Sequence, residues 1–378
     1  MPAQEQALTA RYRMGNYVDT FAPGHYARVL EAEDVLAERP VAFKVMRPEH
    51  LAEDGTPQWE ARAFVNEADL LMRLADCPVA VRLYDCGFVA TRTERPAEGA
   101  ILALGQDVAA FREQLYPYSA RGWRPYLALE LLPRRHNLFY VMKPNHAQGR
   151  RRLPTEEGLD VAAQFAHFLQ EAHARHVVYL DHKLEHIYWD GQRLRVIDFN
   201  SSQLVERGTH TVEQHVAKDV HNLCVGVLYP VFTGLSPQKG ALRPQPASRE
   251  EVARRYADVE ALDFGPEPTL SAALQALLQR GARQELSTMD EFLEGLRHVA
   301  ARYGWEAEGL PTVPALREAR RRTREGLQAI RAGQEALRHA RELLMEAAIL
   351  DEINEDVEAE LRRLLSRISD ALNHRVIP

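Results

Sequence analysis

The sequence predicts an α+β protein of two lobes, in which an antiparallel sheet precedes a mostly helical part and a helical extension follows both. Three observations support this prediction. Short β-rich stretches separated by turn residues fill residues 17–45. Residues 157–175 have helical periodicity and are apolar on more than one face, which indicates a helix buried in a second lobe. Residues 312–373 contain apolar side chains spaced by threes and fours, which indicates long helices or a coiled coil.

The composition is that of an ordinary globular chain. Its 378 residues are 46% hydrophobic and 27% charged, which excludes a wholly disordered or fibrous protein. A chain of this length has room for roughly two to three domains. The net charge of -7 gives no general attraction to nucleic acid or to an anionic membrane, so we expect neither as a partner.

Three further features predict a cytoplasmic protein. The three cysteines, Cys77, Cys86 and Cys224, form no CxxC pair and no zinc-ligand spacing, as is typical of a reducing compartment. The N-terminal stretch MPAQEQALTARYRMG lacks the apolar core of a secretory signal. The most apolar run, residues 223–232, is much shorter than the ~20 residues of a membrane span and contains Pro230.

The N-terminal lobe is predicted over residues 1–132. The stretches NYVDTF, YARVLEAED and RPVAFKVM read as three consecutive antiparallel strands, and residues 59–74 read as a helix that packs on them. VAVRLYDCGFV and RPYLALELL are two further strands. Between these two strands we expect an insertion over residues 90–123 that holds a short helix near residues 107–115.

The helical lobe is predicted over residues 133–304, and the extension over residues 305–378. Helices are expected at residues 219–232, 270–280 and 289–302. In the extension, eight arginines against three glutamates in residues 316–341 precede eight acids and no base in residues 342–360. Such alternating charge blocks suit an antiparallel hairpin or a paired dimer, so we expect a second copy or a partner protein to bind here.

Lysine is rare in this chain, and one lysine stands at a position of chemical interest. Only five of the 47 basic residues are lysines, so arginine serves almost wherever a generic positive charge suffices. Lys44 lies between the apolar Phe43 and Val45 at the end of the third predicted strand. A compact ammonium group suits a tight phosphate site better than the wide fork of an arginine.

Lys44 is the first of several motifs that occur in a recognisable order. VAFK is followed by FVNEADLLMRL with Glu67, by VVYLDHKLEHIYW with Asp181 and Lys183, and by RVIDFNSSQ with Asp198. In this order and setting, the chain resembles the protein kinase superfamily, of the bacterial serine/threonine kinase type, over residues 12–303. The resemblance implies a bilobal kinase-like fold, a serine/threonine protein kinase activity on a protein substrate, and ATP and Mg²⁺ as cofactors.

The resemblance also implies a role for each of these residues. Lys44 grips the α and β phosphates, and Glu67 holds Lys44 through an ion pair. Asp181 is the catalytic base, and Lys183 steadies the transferring phosphoryl group. Asp198 binds the metal, and His186 takes the place of the second metal ligand.

Six positions would contact the nucleotide: Gly24 in the phosphate-covering loop, Val29 and Ala42 beside the adenine, Leu129 as gatekeeper, and the hinge residues Glu130 and Leu132.

Four departures from the family pattern leave three functions open. Leu180 replaces the arginine that pairs with a phosphorylated loop, and Asn200 replaces the glycine of D-F-G. His186 offers nitrogen where Mg²⁺ prefers oxygen. Only 20 residues separate Asp198 from Asp219, too few for the usual peptide-binding platform. The chain is an active protein kinase, a pseudokinase that serves as a nucleotide-gated scaffold, or a small-molecule kinase.

One basic stretch remains without a role in this scheme. Arg134, Arg135, Lys143 and residues 150–152 follow the hinge closely. They would lie near the mouth of a nucleotide cleft, where they contact an acidic substrate or nucleic acid, or form a solvated loop. We expect the solvated loop.

Overall fold

The structure, a computed structural model, describes residues 4–18, 26–142, 151–205, 210–237, 252, 254–304, 314–350 and 354–373. An antiparallel sheet with two covering helices forms the N-terminal lobe, and helices form most of the C-terminal lobe. The predicted α+β architecture, in which an antiparallel sheet precedes a mostly helical lobe, is confirmed. No helix of these residues is both long and apolar enough to cross a membrane.

The sheet of the N-terminal lobe has seven strands, and every neighbouring pair is antiparallel. Their spatial order is β1-β6-β5-β7-β4-β3-β2. The strands are β1 (Glu5–Ala7), β2 (Tyr12–Tyr17), β3 (Ala27–Asp34), β4 (Arg39–Met46), β5 (Leu83–Ala90), β6 (Ala100–Ala103) and β7 (Arg124–Glu130). The second to fifth predicted strands correspond to β3, β4, β5 and β7, whereas β1 and β6 were not predicted. The first predicted strand, NYVDTF, overlaps β2 only at residues 16–17, because β2 begins earlier, and residues 19–21 lie outside the described residues.

Strand β4 places an apolar surface on one face of the sheet and Lys44 on the other. Side chains of a strand alternate between faces, so Val41, Phe43 and Val45 share one face. There Phe43 stacks on Tyr126 with ring centroids 4.7 Å apart, in a cluster fully shielded from solvent. Lys44 therefore points to the opposite face, toward the helix that covers the sheet.

That helix, α2 (Trp59–Arg73), presents one carboxylate from within its buried face. Phe64, Ala68 and Leu71 recur at helical spacing and are buried against the sheet. Glu67 is completely buried among them, although a glutamate is rarely found there without a partner. The packing of α2 thus fixes an acidic group against the face of β4 that carries Lys44.

The insertion after β5 is more structured than predicted. It contains β6 and helix α3 (Val108–Ala120), whose first turn is capped because the Asp107 carboxylate accepts from the Ala110 amide. Strand β1, with the one-turn helix α1 (Leu8–Arg11), pairs with β6 and extends the sheet. Both strands have four residues or fewer, which is too short for a periodic signal in the sequence.

The helical lobe is built around the long helix α5. Its elements are α4 (Leu138–Met142), α5 (Thr155–Ala174), β8 (Val177–Val178), β9 (Ile187–Trp189), β10 (Leu194–Val196), β11 (Gln203–Leu204), α6 (His210–Asn222), a π-helical stretch (Leu223–Leu228), α7 (Tyr229–Thr233), α8 (Ala272–Ala282) and α9 (Met289–Arg302). Gly158 lets α5 approach α7 closely, since a Cβ there would lie 2.5 Å from the Phe232 ring. The helix predicted at residues 219–232 is continuous with the preceding turns and begins earlier, at His210.

The extension consists of α10 (Pro314–Ala348) and α11 (Glu355–Asn373), which pack against each other. Helix α10 also lies against α5 through arginine–carboxylate pairs. Asp160 lies 3.0 Å from an Arg320 nitrogen and 2.5 Å from an Arg324 nitrogen, and Arg331 pairs with Glu157. The basic block of the extension therefore binds the acidic first turns of α5, a contact that sequence alone did not reveal.

We expect Asp160→Ala to loosen the extension without unfolding the lobes. Asp160 is largely shielded from solvent, so its loss leaves two arginines without their shared carboxylate. Amide hydrogen exchange of α10 should rise by at least tenfold, whereas α5 should stay protected. Glu358→Ala is the matched control, because Glu358 forms an exposed pair within α11. Equal protection of α10 in Asp160→Ala and the wild type would contradict this docking.

Candidate active site

One ammonium group joins the two lobes. Lys44 Nζ donates to Glu67 Oε2 at 2.7 Å and to Asp198 Oδ1 at 2.8 Å. Glu67 Oε1 in turn accepts from the Phe199 amide at 3.2 Å, which ties helix α2 to the segment that follows β10. The structure thus brings together three residues that the sequence places far apart, in the arrangement predicted for a phosphate-binding lysine.

The charges of this cluster stabilise one another. Burial alone would raise the pKa of Asp198, but Lys44 and His186 outweigh it and hold that pKa well below its ordinary value. Burial tends to lower the pKa of Lys44, yet Asp198 and Glu67 raise it well above the usual value. Burial raises the pKa of Glu67, with Lys44 opposing. Near neutral pH the Lys44 ammonium and the Asp198 carboxylate are therefore charged.

Asp219 holds the loop that carries Asp181. Its carboxylate accepts from the Tyr179 amide at 2.8 Å and from the Leu180 amide at 2.7 Å, while the Asn222 side chain donates to the Leu180 carbonyl. These bonds keep Leu180 at a φ of 66°, a left-handed backbone conformation that a leucine rarely adopts. The position of Asp181 thus depends on a buried carboxylate in α6.

Two cations flank the candidate base. Lys183 Nζ lies 3.5 Å from Asp181 Oδ2, and Arg255 Nη1 lies 2.5 Å from Asp181 Oδ1. Burial tends to raise the pKa of Asp181, but Lys183, His186 and Arg255 together lower it. The carboxylate is ionised and buried, with a positive group beside each oxygen. Arg255 was not predicted, because nothing in the sequence around it forms a recognisable motif.

His186 is oriented as a metal ligand would be. Its Nδ1 lies 3.1 Å from the Asp181 carbonyl, which only accepts, so Nδ1 carries the proton. Its Nε2 lies 3.1 Å from Asp198 Oδ2 and its Nδ1 lies 3.6 Å from Asp181 Oδ2, so the ring lies between the two carboxylates. Among the described residues, Asp181, His186 and Asp198 offer ligand atoms within 4.8 Å of one another.

The predicted nucleotide contacts lie along the strands that border Lys44. Val29 pairs with Lys44 across β3 and β4, and Ala42 pairs with Leu129 across β4 and β7. Leu129 is buried, whereas Val29 and Ala42 are half-buried. Gly24 lies outside the described residues.

The predicted hinge begins at the last residue of β7. The Glu130 side chain pairs with Arg195, and its amide donates to the Arg82 carbonyl at 2.9 Å. This side chain is therefore engaged with the helical lobe. Leu132 is half-buried in the extended segment after β7.

Only a short stretch of chain links Asp198 to helix α6. Strand β11 pairs with β8 soon after Asp198, and α6 begins at His210. A different loop lies against the catalytic loop instead, since Tyr256 Oη donates to the His182 carbonyl at 2.8 Å. Residues 254–260 thus contact the catalytic loop, although they are distant from it in sequence.

The basic stretch after the hinge is partly engaged with the protein itself. Arg135 lies 3.5 Å from Glu335 of α10, Arg152 lies 3.1 Å from Glu267, and Arg134 packs over Tyr140. Lys143 and Arg150 lie outside the described residues. The described arginines therefore hold neighbouring elements together.

No family model matches the sequence, and no curated protein matches it either. Among solved structures, the kinase PK-1 of the Cydia pomonella granulovirus is similar, with 17% identity and a TM-score of 0.49. The match covers 76% of this chain and 94% of that chain.

Replacing Asp219 with asparagine should destabilise the catalytic loop. The Asp219 carboxylate accepts hydrogen bonds from two backbone amides. In Asp219→Asn, one of its two oxygens is replaced by an NH₂ group, which cannot accept, so one buried backbone amide loses its hydrogen-bond partner. We expect the free energy of unfolding, measured in urea, to fall by about 2–4 kcal/mol. Asp76→Asn, which removes an exposed ion pair, should change it by less than about 0.5 kcal/mol. Equal stability of both variants would contradict the assigned role of Asp219.

Proposed function

We propose that this chain is an ATP- and Mg²⁺-dependent protein kinase that phosphorylates a serine or threonine hydroxyl. The observation that supports this proposal is the convergence of two groups of residues on one cleft. Lys44, Glu67 and Asp198 form a phosphate- and metal-binding cluster, and Asp181 with Lys183 forms a base-and-cation pair. His186 connects the two groups, since it lies 3.1 Å from Asp198 Oδ2 and 3.6 Å from Asp181 Oδ2.

Each residue then has a role in a single displacement. Asp181 orients the acceptor hydroxyl and receives its proton as the hydroxyl oxygen bonds to the γ-phosphorus. The bond between that phosphorus and the β,γ-bridging oxygen breaks, and the electron pair leaves with ADP. Lys44 neutralises the α and β phosphates, and Lys183 neutralises the group in transfer.

A divalent cation fits the residues at this site. Asp198 and His186 would hold it, and Asp181 lies within reach of the same point. When bound, the cation neutralises charge that develops on the phosphate oxygens. Imidazole suits Mn²⁺ better than Mg²⁺, so we expect Mn²⁺ to serve at least as well.

A second candidate function is a nucleotide-gated scaffold. Two observations favour it. Arg255 forms an ion pair with one carboxylate oxygen of Asp181, the candidate base. The extension also exposes apolar side chains near the end of α10, where the chain turns toward α11. The exposed fractions there are 52% for Leu343, 53% for Met345, 81% for Ile349 and 63% for Leu350. Exposed apolar groups of this size favour a protein partner or a second copy.

A third candidate, a small-molecule kinase, rests on the short segment between Asp198 and α6.

Transfer of radiolabelled phosphate from ATP decides between an enzyme and a scaffold. The wild type should label itself or a generic protein acceptor, and Asp181→Asn should reduce the rate by roughly a hundredfold or more. Asp76→Asn should label as the wild type does, because Asp76 lies on the surface. Nucleotide binding without transfer to any acceptor would support the scaffold instead.

Nucleotide binding should depend on Lys44. A ligand that binds only the folded state at 100 times its Kd stabilises it by about 2.7 kcal/mol. Saturating MgATP should therefore raise the melting temperature of the wild type but leave that of Lys44→Ala nearly unchanged. Arg28→Ala removes a cation from the neighbouring strand, where Arg28 pairs with Glu94, and should respond as the wild type does. Equal shifts in wild type and Lys44→Ala would exclude Lys44 from the site.

A further inference from the structure

Arg255 lies at the candidate base and has no part in the mechanism above. Its Nη1 atom lies 2.5 Å from Asp181 Oδ1, and only 13% of its side chain is exposed. Lys183 lies at the other oxygen of the same carboxylate, at 3.5 Å. An acceptor hydroxyl that approaches Asp181 from the side of Oδ1 would therefore meet the guanidinium first.

The backbone that carries Arg255 is firmly anchored. The neighbouring Tyr256 donates through Oη to the His182 carbonyl at 2.8 Å, and its own carbonyl lies 3.0 Å from His221 Nε2. The Tyr256 ring also packs so closely on Gly226 that a Cβ there would lie 2.5 Å from it. Release of this loop would break all of these contacts, whereas rotation of the Arg255 side chain would leave them in place and give up its ion pair with Asp181 and its hydrogen bond with the Tyr256 side chain.

Displacing Arg255 from Asp181 has an electrostatic consequence. A largely buried guanidinium that loses its carboxylate is costly unless another anion replaces it. The planar fork of an arginine pairs with carboxylate and phosphate through two parallel hydrogen bonds. An acceptor that carries an oxyanion near its hydroxyl would therefore pair with Arg255 through that oxyanion. The acceptor hydroxyl would then lie against the Asp181 oxygen that Arg255 has left.

We infer that Arg255 is a specificity-determining residue, which selects protein acceptors with a carboxylate or phosphate group next to the hydroxyl. This inference rests on the proposed function. In the absence of acceptor, Asp181 holds Arg255; when the acceptor binds, Arg255 turns to its oxyanion and Asp181 becomes free to receive the hydroxyl proton. The anchored loop favours this exchange over a removable inhibitory segment, because only the side chain has to move.

Matched peptides test the inference through activity. One peptide places glutamates on both sides of a serine, and the other places glutamines there. The wild type should use the acidic peptide with a kcat/KM at least tenfold higher, and Arg255→Met should remove most of that preference. Arg255→Lys keeps the charge without the fork and should retain an intermediate preference. Arg254→Met, which changes the exposed neighbouring arginine, should keep the full preference.

Three outcomes of this assay would overturn the inference. They are equal use of both peptides by the wild type, an unchanged preference in Arg255→Met, and a rise in the use of both peptides in that variant. The last outcome would identify an inhibitory contact instead. Thermal melting of each variant confirms that it is folded before the comparison is made.

A binding measurement separates this inference from the proposed function. The same two peptides, with the serine replaced by alanine and a fluorescent label added, are titrated with protein saturated with Mg²⁺ and a non-hydrolysable ATP analogue. The acidic peptide should bind at least tenfold more tightly than the neutral one, and Arg255→Met should abolish the difference. If this holds while no acceptor is phosphorylated, the proposed kinase activity fails and the recognition by Arg255 stands. Equal binding of the two peptides would overturn the recognition itself.

Discussion

The buried ammonium group of Lys44 is the interaction on which the rest of the site depends. It lies between Glu67 of the N-terminal lobe and Asp198 of the C-terminal lobe, at hydrogen-bonding distance from both. A buried charge is tolerated only when it is paired and hydrogen-bonded, so strand β4, helix α2 and the segment after β10 must keep one relative position. The same contact that orders the two lobes also places a cation where the phosphates of a nucleotide would bind. Loss of either carboxylate would affect the fold and the site together.

The loop that carries Asp181 is held by a second buried carboxylate, and residues distant in sequence lie against it. The Asp219 carboxylate holds the loop by accepting hydrogen bonds from two of its backbone amides. These bonds offset the cost of the left-handed backbone conformation at Leu180. Two residues that are distant in sequence also contact this loop. Tyr256 donates to the carbonyl of His182, and Arg255 pairs with the carboxylate of Asp181. Because the segment between Asp198 and α6 is short, the loop that contains Arg255 and Tyr256 covers this surface.

The sequence predicted those parts of the molecule whose signals are local. The strand that carries Lys44 and the helix that carries Glu67 were predicted from local patterns, and their ion pair was predicted from the resemblance of the VAFK and FVNEADLLMRL motifs. The pairing of β1 with β6 was not, because three or four residues give no periodicity. The contact of Arg255 with Asp181 and the docking of Arg320 and Arg324 on Asp160 were also missed. Both join residues far apart in sequence, and charged side chains in surface-like stretches give no sign of their partner.

The proposed function requires Asp198 and His186 to hold the metal of a nucleotide bound at Lys44. Diffraction from crystals grown with Mn²⁺ and a non-hydrolysable ATP analogue, collected at the manganese absorption edge, locates that metal. We expect an anomalous peak at coordination distance from Asp198 Oδ2 and His186 Nε2, on the side of the cluster that faces the phosphates. A bound nucleotide whose Mn²⁺ peak lies away from Asp198, or a cleft that binds neither, would contradict it.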